Sequence, residues 1–152
     1  MNIRQAHAED YDTIAGVWEA SVRATHHFLR DHDIEALKPK IVREYLPALQ
    51  VHVCLDQAGH IKGFVGTSSD KIEMLFIAPE ARGNGMGKAL VKLVKDAGCE
   101  YVDVNEQNPQ ALRFYERMGF RVFARSPLDG QGNPFPILHM KLNSDGGAKQ
   151  TT

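Results

Sequence analysis

The chain has 152 residues, of which 43% are hydrophobic and 24% are charged, and its formal net charge is −1. These values are typical of a soluble globular protein with a single core. The near-zero charge and the lack of a run of Lys and Arg argue against a nucleic-acid partner. No stretch approaches the roughly 20 apolar residues that span a membrane, and the N-terminus does not resemble a signal peptide. We therefore predict a cytoplasmic protein without nucleic-acid or membrane partners.

The chain contains two cysteines, Cys54 and Cys99, which lie on separate predicted elements. Two cysteines form neither a disulfide framework nor a zinc site. No spacing of His, Cys and acidic residues indicates another metal site. We expect free, mostly buried thiols, as is usual in a reducing cytosol, and no bound metal.

The first third of the chain is mainly helical in pattern. Residues 2–5 can form a short strand, and apolar residues at helical spacing predict a helix from Ala8 to about Thr25. A break at residues 31–33 precedes a second predicted helix, from about Ile34 to Leu49. Pro39 lies early in that helix and indicates either a late start or a kink, because proline has no N–H group to donate.

Three strands follow and should form an antiparallel meander, at residues 51–55, 61–67 and 71–77. The remaining predicted helices and strands cover residues 86–97, 100–104, 108–118, 120–125 and 135–142. The strands on either side of the helix at 86–97 should be parallel, as in a β-α-β unit.

The order of these elements, β-αα-βββ-α-β-α-ββ, predicts an α/β (α+β) domain. We expect a mixed, mostly antiparallel seven-stranded sheet with about four helices. The domain should occupy residues 1–142, and the polar tail at residues 143–152 should be disordered.

Three glycines, Gly83, Gly85 and Gly87, lie between the last strand of the meander and the next helix. A helix N-terminus has unsatisfied N–H groups and a partial positive charge, so phosphate oxygens bind there if no side chain intervenes. Arg82 and Lys88 add positive charge on either side. The segment is interpreted as a pyrophosphate cradle, and a glycine-rich turn that merely connects strand to helix is the alternative.

Two well-known phosphate loops fit this segment poorly. A Walker loop needs Ser or Thr after its Gly-Lys pair, whereas Gly87-Lys88 is followed by Ala89. A dinucleotide fingerprint needs Gly-x-Gly-x-x-Gly directly after a strand, but Pro79 to Arg82 intervene here and its last glycine position is Lys88. The loop chemistry therefore argues against both classes of enzyme.

The loop instead contains Arg-x-x-Gly-x-Gly, from Arg82 to Gly87, and a second motif follows it. Residues 108–120 match Asn-x-x-Ala-x-x-Phe-Tyr-x-x-x-Gly-Phe at each fixed position. Together and in this order, the motifs resemble the GNAT superfamily of N-acetyltransferases, which use acetyl-CoA. The resemblance covers residues 2–142, and the segment Asn-Glu-Gln-Asn at residues 105–108 is similar to a small bacterial subgroup of that family.

The resemblance implies roles in binding the cofactor. Tyr115 would be the general acid at the coenzyme A sulfur, and a core tyrosine with a satisfied hydroxyl is the alternative. Asn108 would hydrogen-bond the cofactor arm. That arm would enter a gap between the two parallel strands, where a bulge near Phe76 and Ile77 would leave backbone N–H groups free. The implied cofactor-binding residues are Phe76, Ile77, Arg82, Gly83, Asn84, Gly85, Met86, Gly87, Lys88 and Asn108.

Further residues are assigned to the acceptor amine. Glu73 is the candidate base, directly or through a water, and an exposed strand carboxylate is the alternative. Asn105 resembles a polar residue that the subgroup places near the acetyl group, and a strand-end turn residue is the alternative. His26, His27 and Phe28 follow the first helix, where the family builds a wall of the acceptor pocket, although a lone His is more often structural.

The resemblance thus implies an enzyme that transfers an acetyl group from acetyl-CoA to a primary amine by direct attack in a ternary complex. The acceptor would be a small molecule, a peptide N-terminus or a lysine. A non-catalytic coenzyme A-binding sensor is the alternative, although such modules usually lose the tyrosine or the glycines that this chain retains. We expect a monomer or a homodimer.

Overall fold

The computed structural model of the chain describes residues 1–25 and 29–143. The predictions for His26, His27 and Phe28, and for the tail from residue 144 onward, lie outside these ranges. The described strands are β1 (Asn2–Gln5), β2 (Gln50–Leu55), β3 (Ile61–Ser68), β4 (Lys71–Ile77), β5 (Tyr101–Asn105), β6 (Phe120–Ser126) and β7 (Ile137–Leu142). The described helices are α1 (Tyr11–Thr25), α2 (Asp31–Lys40), α3 (Leu46–Ala48), α4 (Met86–Asp96) and α5 (Pro109–Arg117).

The predicted order and the mixed, mostly antiparallel sheet are confirmed in the described part of the chain. The strands lie in the order β1-β2-β3-β4-β5-β7-β6, so β7 is inserted between β5 and β6. The β2-β3-β4 meander is antiparallel, and β4 and β5 are parallel, as predicted. The pairing of β4 with β5 is the only parallel pairing among the described strands.

The second helical segment starts earlier than predicted. α2 begins at Asp31, inside the predicted break, because acidic residues stabilise the first turn of a helix. The Asp33 carboxylate also accepts a hydrogen bond from the Arg30 amide at 3.1 Å. Pro39 lies inside α2, and the segment continues as a π-helical turn, Ile41–Tyr45, which leads directly into α3. α2 and α3 thus form one segment, in agreement with the predicted count of helices in the described chain.

The core lies on both sides of β3, because α1 and α4 each pack against β3 and β4 and must therefore cover opposite faces of the sheet. Phe64 and Val65 of β3 are fully buried. On the α4 face, Gly63 leaves room for its neighbours, since a Cβ there would lie 2.6 Å from Ile77 Cδ1 and 3.6 Å from Leu90 Cδ1. This close approach holds α4 against the sheet.

β4 and β5 diverge soon after they begin. They pair only through residues 71–72 of β4 and 101–102 of β5; beyond these, β4 stays paired with β3, and β5 stays paired with β7. A register shift gives β4 one extra residue, Glu73, between its two stretches of pairing with β3. Such a bulge bends a strand and increases its twist. Because the bulge directly follows the last pair with β5, the two strands separate there.

The two cysteines are free and buried, as predicted. Burial raises the pKa of both Cys54 and Cys99, so neither thiol is activated as a nucleophile. Over residues 1–25 and 29–143, no helix is both long and apolar enough to cross a bilayer. No group of three or more His, Cys, Asp and Glu side chains in the same ranges is placed to hold a metal ion.

Packing of α4 on the sheet gives a stability prediction. We expect Leu90→Ala to lower the free energy of unfolding by about 2–5 kcal/mol, because this fully buried side chain leaves a cavity against β3. Leu93→Ala, on the same helix but 37% exposed, should lower it by only about 1 kcal/mol. Urea unfolding followed by Trp18 fluorescence measures both values. Equal losses for the two variants would contradict this account of the core.

Candidate active site

The separation of β4 from β5 opens a cleft of about 530 Å³. Its walls are β4, β5, the glycine loop before α4, one side of α5 and the last turns of α1. The cleft brings together most of the residues predicted from sequence: Glu73, Phe76, Ile77, Arg82, Gly83, Gly85, Met86, Gly87, Lys88, Asn105, Asn108 and Tyr115. Asn84 lies in the same loop but does not line the cleft.

The glycine loop exposes bare backbone at the N-terminus of α4. Gly83 and Gly85 have φ angles of +80° and +81°, which side chains disfavour, and Gly85 is the N-cap residue without a side-chain cap. Within the described residues, no N–H group from Gly83 to Lys88 donates to a protein acceptor. This run of amides, at the positive end of the helix dipole, can bind an anion.

Two contacts hold the loop in place. Arg82 Nη2 donates to Ser21 Oγ at 3.2 Å and to the Ser21 carbonyl at 3.5 Å, which ties the loop to α1. Gly87 faces the Phe114 ring of α5, and a Cβ at Gly87 would lie 3.5 Å from it. The loop is therefore fixed between α1 and α5 rather than hanging free in solvent.

The alternation of main-chain groups along β4 decides which amides face the cleft. The Ala78 amide donates to a β3 carbonyl at 2.7 Å, so the Phe76 amide, two residues earlier, also points to β3. The amides of Leu75 and Ile77 point to the other side, toward β5. Two sequence-based expectations are thereby corrected: the bulge lies at Glu73 rather than near Phe76, and Leu75 replaces Phe76 as the source of a free amide.

Tyr115 has its ring in the core and its hydroxyl at the cleft. The residue is 7% exposed and packs edge-on against Phe114 at 5.1 Å and Phe120 at 5.7 Å between ring centroids. Among the described residues, no protein group hydrogen-bonds its hydroxyl. Burial raises the pKa of this phenol well above its ordinary value. A core tyrosine with a satisfied hydroxyl, the alternative considered from sequence, does not describe this geometry.

Asn105 and Asn108 both shape the turn that leads from β5 into α5. Asn108 Oδ1 accepts from the Ala111 amide at 3.1 Å, which makes Asn108 the predicted N-cap residue of α5, with Pro109 in the first position. Asn105 Oδ1 accepts from the Gln107 amide at 2.8 Å, as expected for a strand-end turn residue. Within residues 1–25 and 29–143, both Nδ2 groups make no hydrogen bond, so they remain available to a ligand in the cleft.

Glu73 lies on the bulge at the closed end of the cleft, and its side chain is exposed. Ser68 Oγ donates to Glu73 Oε2 at 2.5 Å. In the described structure Oε1 has no hydrogen-bond partner, so one carboxylate oxygen is oriented by the protein while the other can accept a proton. The bulge thus gives this carboxylate a fixed place in the cleft.

Three of the lining residues that were assigned no role from the sequence are Leu75, Asp103 and Phe114. Leu75 could have been found, because strand alternation gives it the same orientation as Ile77. Asp103 had no sequence signal, since its place at the cleft depends on where β4 and β5 stop pairing.

The chain was compared with known proteins and structures. The model of the acetyltransferase (GNAT) domain matches residues 8–144. The chain is 37% identical over 142 residues to the peptidyl-lysine N-acetyltransferase YjaB of Salmonella typhimurium, which covers 92% of this chain and 97% of the relative. It is 36% identical over 141 residues to the Escherichia coli protein of that name, with 92% and 95% covered.

The fold agrees with these matches. The solution structure of apo-form YjaB from Escherichia coli superimposes with a TM-score of 0.82 at 34% identity, covering 92% of this chain and 95% of that chain. The family resemblance of the two motifs is thereby confirmed. The chain belongs to the GNAT acetyltransferase family and is an N-acetyltransferase that uses acetyl-CoA.

Proposed function

We propose that this protein acetylates the ε-amine of lysine in a peptide or protein by direct attack in a ternary complex. The arrangement that carries the proposal is one cleft holding free backbone amides, the unpaired phenol of Tyr115 and the exposed carboxylate of Glu73. The activity named for both YjaB relatives supports lysine as the acceptor. We further propose that the protein is cytoplasmic and forms a monomer or a homodimer. The segment at residues 105–108 suggests that it belongs to the small bacterial subgroup.

The cleft offers suitable groups both to the diphosphate of the cofactor and to its arm. The free amides from Gly83 to Lys88 are suited to the diphosphate, and the space beside Gly83 and Gly85, where a Cβ would point, is open. The amides of Leu75 and Ile77 face the gap in which the arm would lie. When bound, acetyl-CoA supplies an acyl group activated as a thioester.

Glu73 is the proposed base that takes a proton from the acceptor. A lysine amine is protonated near neutral pH and cannot attack a carbonyl until it loses a proton. The exposed Glu73 carboxylate, with one oxygen held by Ser68, can receive that proton directly or through a water. It also attracts the cationic side chain to the closed end of the cleft.

Tyr115 is the proposed hydrogen-bond donor to the departing sulfur. Its raised pKa keeps the phenol protonated across the working pH range. The same shift makes complete transfer to a free thiolate unfavourable, since a thiol has a pKa of about 8.5. Tyr115 therefore acts as a hydrogen-bond donor while the C–S bond breaks, and its desolvated surroundings strengthen that bond.

We expect Tyr115→Phe to lower kcat about 10²- to 10⁴-fold on a lysine peptide, because the hydrogen-bond donor to the sulfur is lost while the ring packing remains. Thiol release measures turnover, and calorimetry should show an unchanged Kd for acetyl-CoA. Tyr11→Phe, at the start of α1, is the matched control and should behave as wild type. Unchanged turnover in Tyr115→Phe would rule out the acid role. A wild-type protein that binds acetyl-CoA but releases no thiol with any amine would indicate the sensor instead.

We expect Gly85→Ala to raise the Kd for acetyl-CoA at least about tenfold, because a side chain at φ +81° strains the loop and approaches the diphosphate site. Gly59→Ala is the matched control, since Gly59 has a similar φ of +86° in the β2–β3 turn and an equally open environment. Gly59→Ala should lower the free energy of unfolding by a similar amount without changing the Kd for acetyl-CoA. Equal Kd values for both variants would refute the anion cradle.

We expect Glu73→Gln to lower kcat/KM for a lysine peptide about 10²-fold near neutral pH, because the amide cannot accept the proton. The loss should shrink as pH rises toward the pKa of the amine, since the acceptor then deprotonates in solution. Glu44→Gln, an exposed site away from the cleft, is the control. A loss that does not depend on pH would assign Glu73 to binding rather than to proton transfer.

A further inference from the structure

Four polar side chains form a continuous chain of hydrogen bonds across the sheet. Lys71 Nζ lies 2.8 Å from Asp103 Oδ2, His139 Nδ1 lies 2.7 Å from Asp103 Oδ1, and Ser126 Oγ lies 2.7 Å from His139 Nε2. They belong to β4, β5, β7 and β6, four neighbouring strands. We call these four residues the polar rail. None of them belongs to the acid, the base or the glycine loop.

The rail crosses the sheet at the point where the cleft begins. Main-chain pairing between β4 and β5 ends at residues 72 and 102, and Asp103 is the next residue of β5. Among the described residues, Lys71–Asp103 is the only ion pair that joins these two strands. The side chains of Lys71 and Asp103 are 35% and 34% exposed, so water screens this pair only in part.

The hydrogen bonds hold Asp103 ionised and orient the His139 ring. Burial opposes ionisation of Asp103, but the hydrogen bonds from Lys71 and His139 outweigh it and hold its pKa below the ordinary value. A carboxylate can only accept, so His139 Nδ1 carries a proton and donates it to Asp103. The Ser126 hydroxyl can accept from or donate to Nε2, and this contact holds the other side of the imidazole ring.

The placement of the rail matters because the two sides of the cleft carry different parts of the reaction. The free amides of Leu75 and Ile77 belong to β4, whereas Tyr115 is on α5, which follows β5. One thioester must contact the β4 amides and Tyr115 at the same time. The angle between β4 and β5 sets the distance between these groups, and a misplacement of about 1 Å can lower the rate about 10²-fold.

We propose that Lys71, Asp103 and His139 are positioning residues that set the opening of the cleft for acetyl transfer. Lys71 and Asp103 tie the strands where they separate, and His139, supported by Ser126, holds the second oxygen of Asp103. This inference rests on the proposed function, because it requires Tyr115 and the β4 amides to act on one substrate. The diphosphate site lies on the loop before α4, so it does not depend on the Lys71–Asp103 ion pair.

The test compares kcat with cofactor affinity in rail variants. Lys71→Met, Asp103→Asn and His139→Leu should each lower kcat on a lysine peptide about 10- to 100-fold. The Kd for acetyl-CoA should stay at the wild-type value in all three. Lys92→Met and His60→Leu remove an exposed ion pair and an exposed histidine elsewhere, and they should leave both quantities unchanged.

A conservative variant separates positioning from proton transfer. His139→Asn retains a donor near the place of Nδ1 but cannot take up a proton. Positioning predicts that it restores kcat to within a few-fold of wild type, with an unaltered pH profile. If His139→Asn is as slow as His139→Leu and a near-neutral ionisation disappears from the pH profile, His139 transfers protons and the proposal is overturned.

Two further outcomes are decisive. Unchanged kcat in both Lys71→Met and Asp103→Asn would also overturn the proposed positioning role of the polar rail. If the wild-type protein binds acetyl-CoA but acetylates no amine, the proposed function fails, and hydrogen exchange then tests the rail. If the Lys71–Asp103 ion pair holds the two strands together, the amides of residues 101–105 should exchange faster in Asp103→Asn than in wild type. Exchange at the wild-type rate would refute the positioning role.

Discussion

The pairing between β4 and β5 stops after two residues on each strand, and the candidate active site depends on that interruption. A continuous parallel ladder would consume the amides of Leu75 and Ile77 and leave no gap between the strands. The extra residue at Glu73 bends β4 at the required place, while β5 remains fully paired with β7. Unpaired backbone groups inside a protein are unfavourable unless water or a ligand satisfies them. The interruption therefore creates a surface that gains stability when a ligand with its own amides and carbonyls occupies it.

The N-terminus of α4 presents a related compromise. A side-chain cap is worth about 1 kcal/mol to a helix, yet Gly85 provides none and the first amides of α4 have no partner among the described groups. Glycines with positive φ also lose more conformational freedom on folding than other residues. Packing compensates for these costs: Arg82 ties the loop to α1, and the fully buried Leu90 anchors the helix. The well-packed part of α4 thus supports an N-terminus whose N–H groups remain free to bind an anion.

The sequence predicted elements well where the signal was local. Alternation and the following Pro79 defined β4, and the cap at Asn108 with Pro109 defined the start of α5. The bulge at Glu73 was misplaced because register depends on the partner strand, which no local pattern records. The polar rail was missed for the same reason. Its members are far apart in the chain and meet only because β4 pairs with β5 and because β7 inserts between β5 and β6.

Glu73 and Tyr115, the proposed base and the proposed hydrogen-bond donor, lie in different environments, and this difference fits their opposite roles. Glu73 is exposed to solvent at the bulge. Tyr115 is buried between two phenyl rings, where desolvation disfavours the phenolate. These two environments follow from the fold itself, because the proposed base lies on the strand that bends away and the proposed acid on the helix that packs into the core.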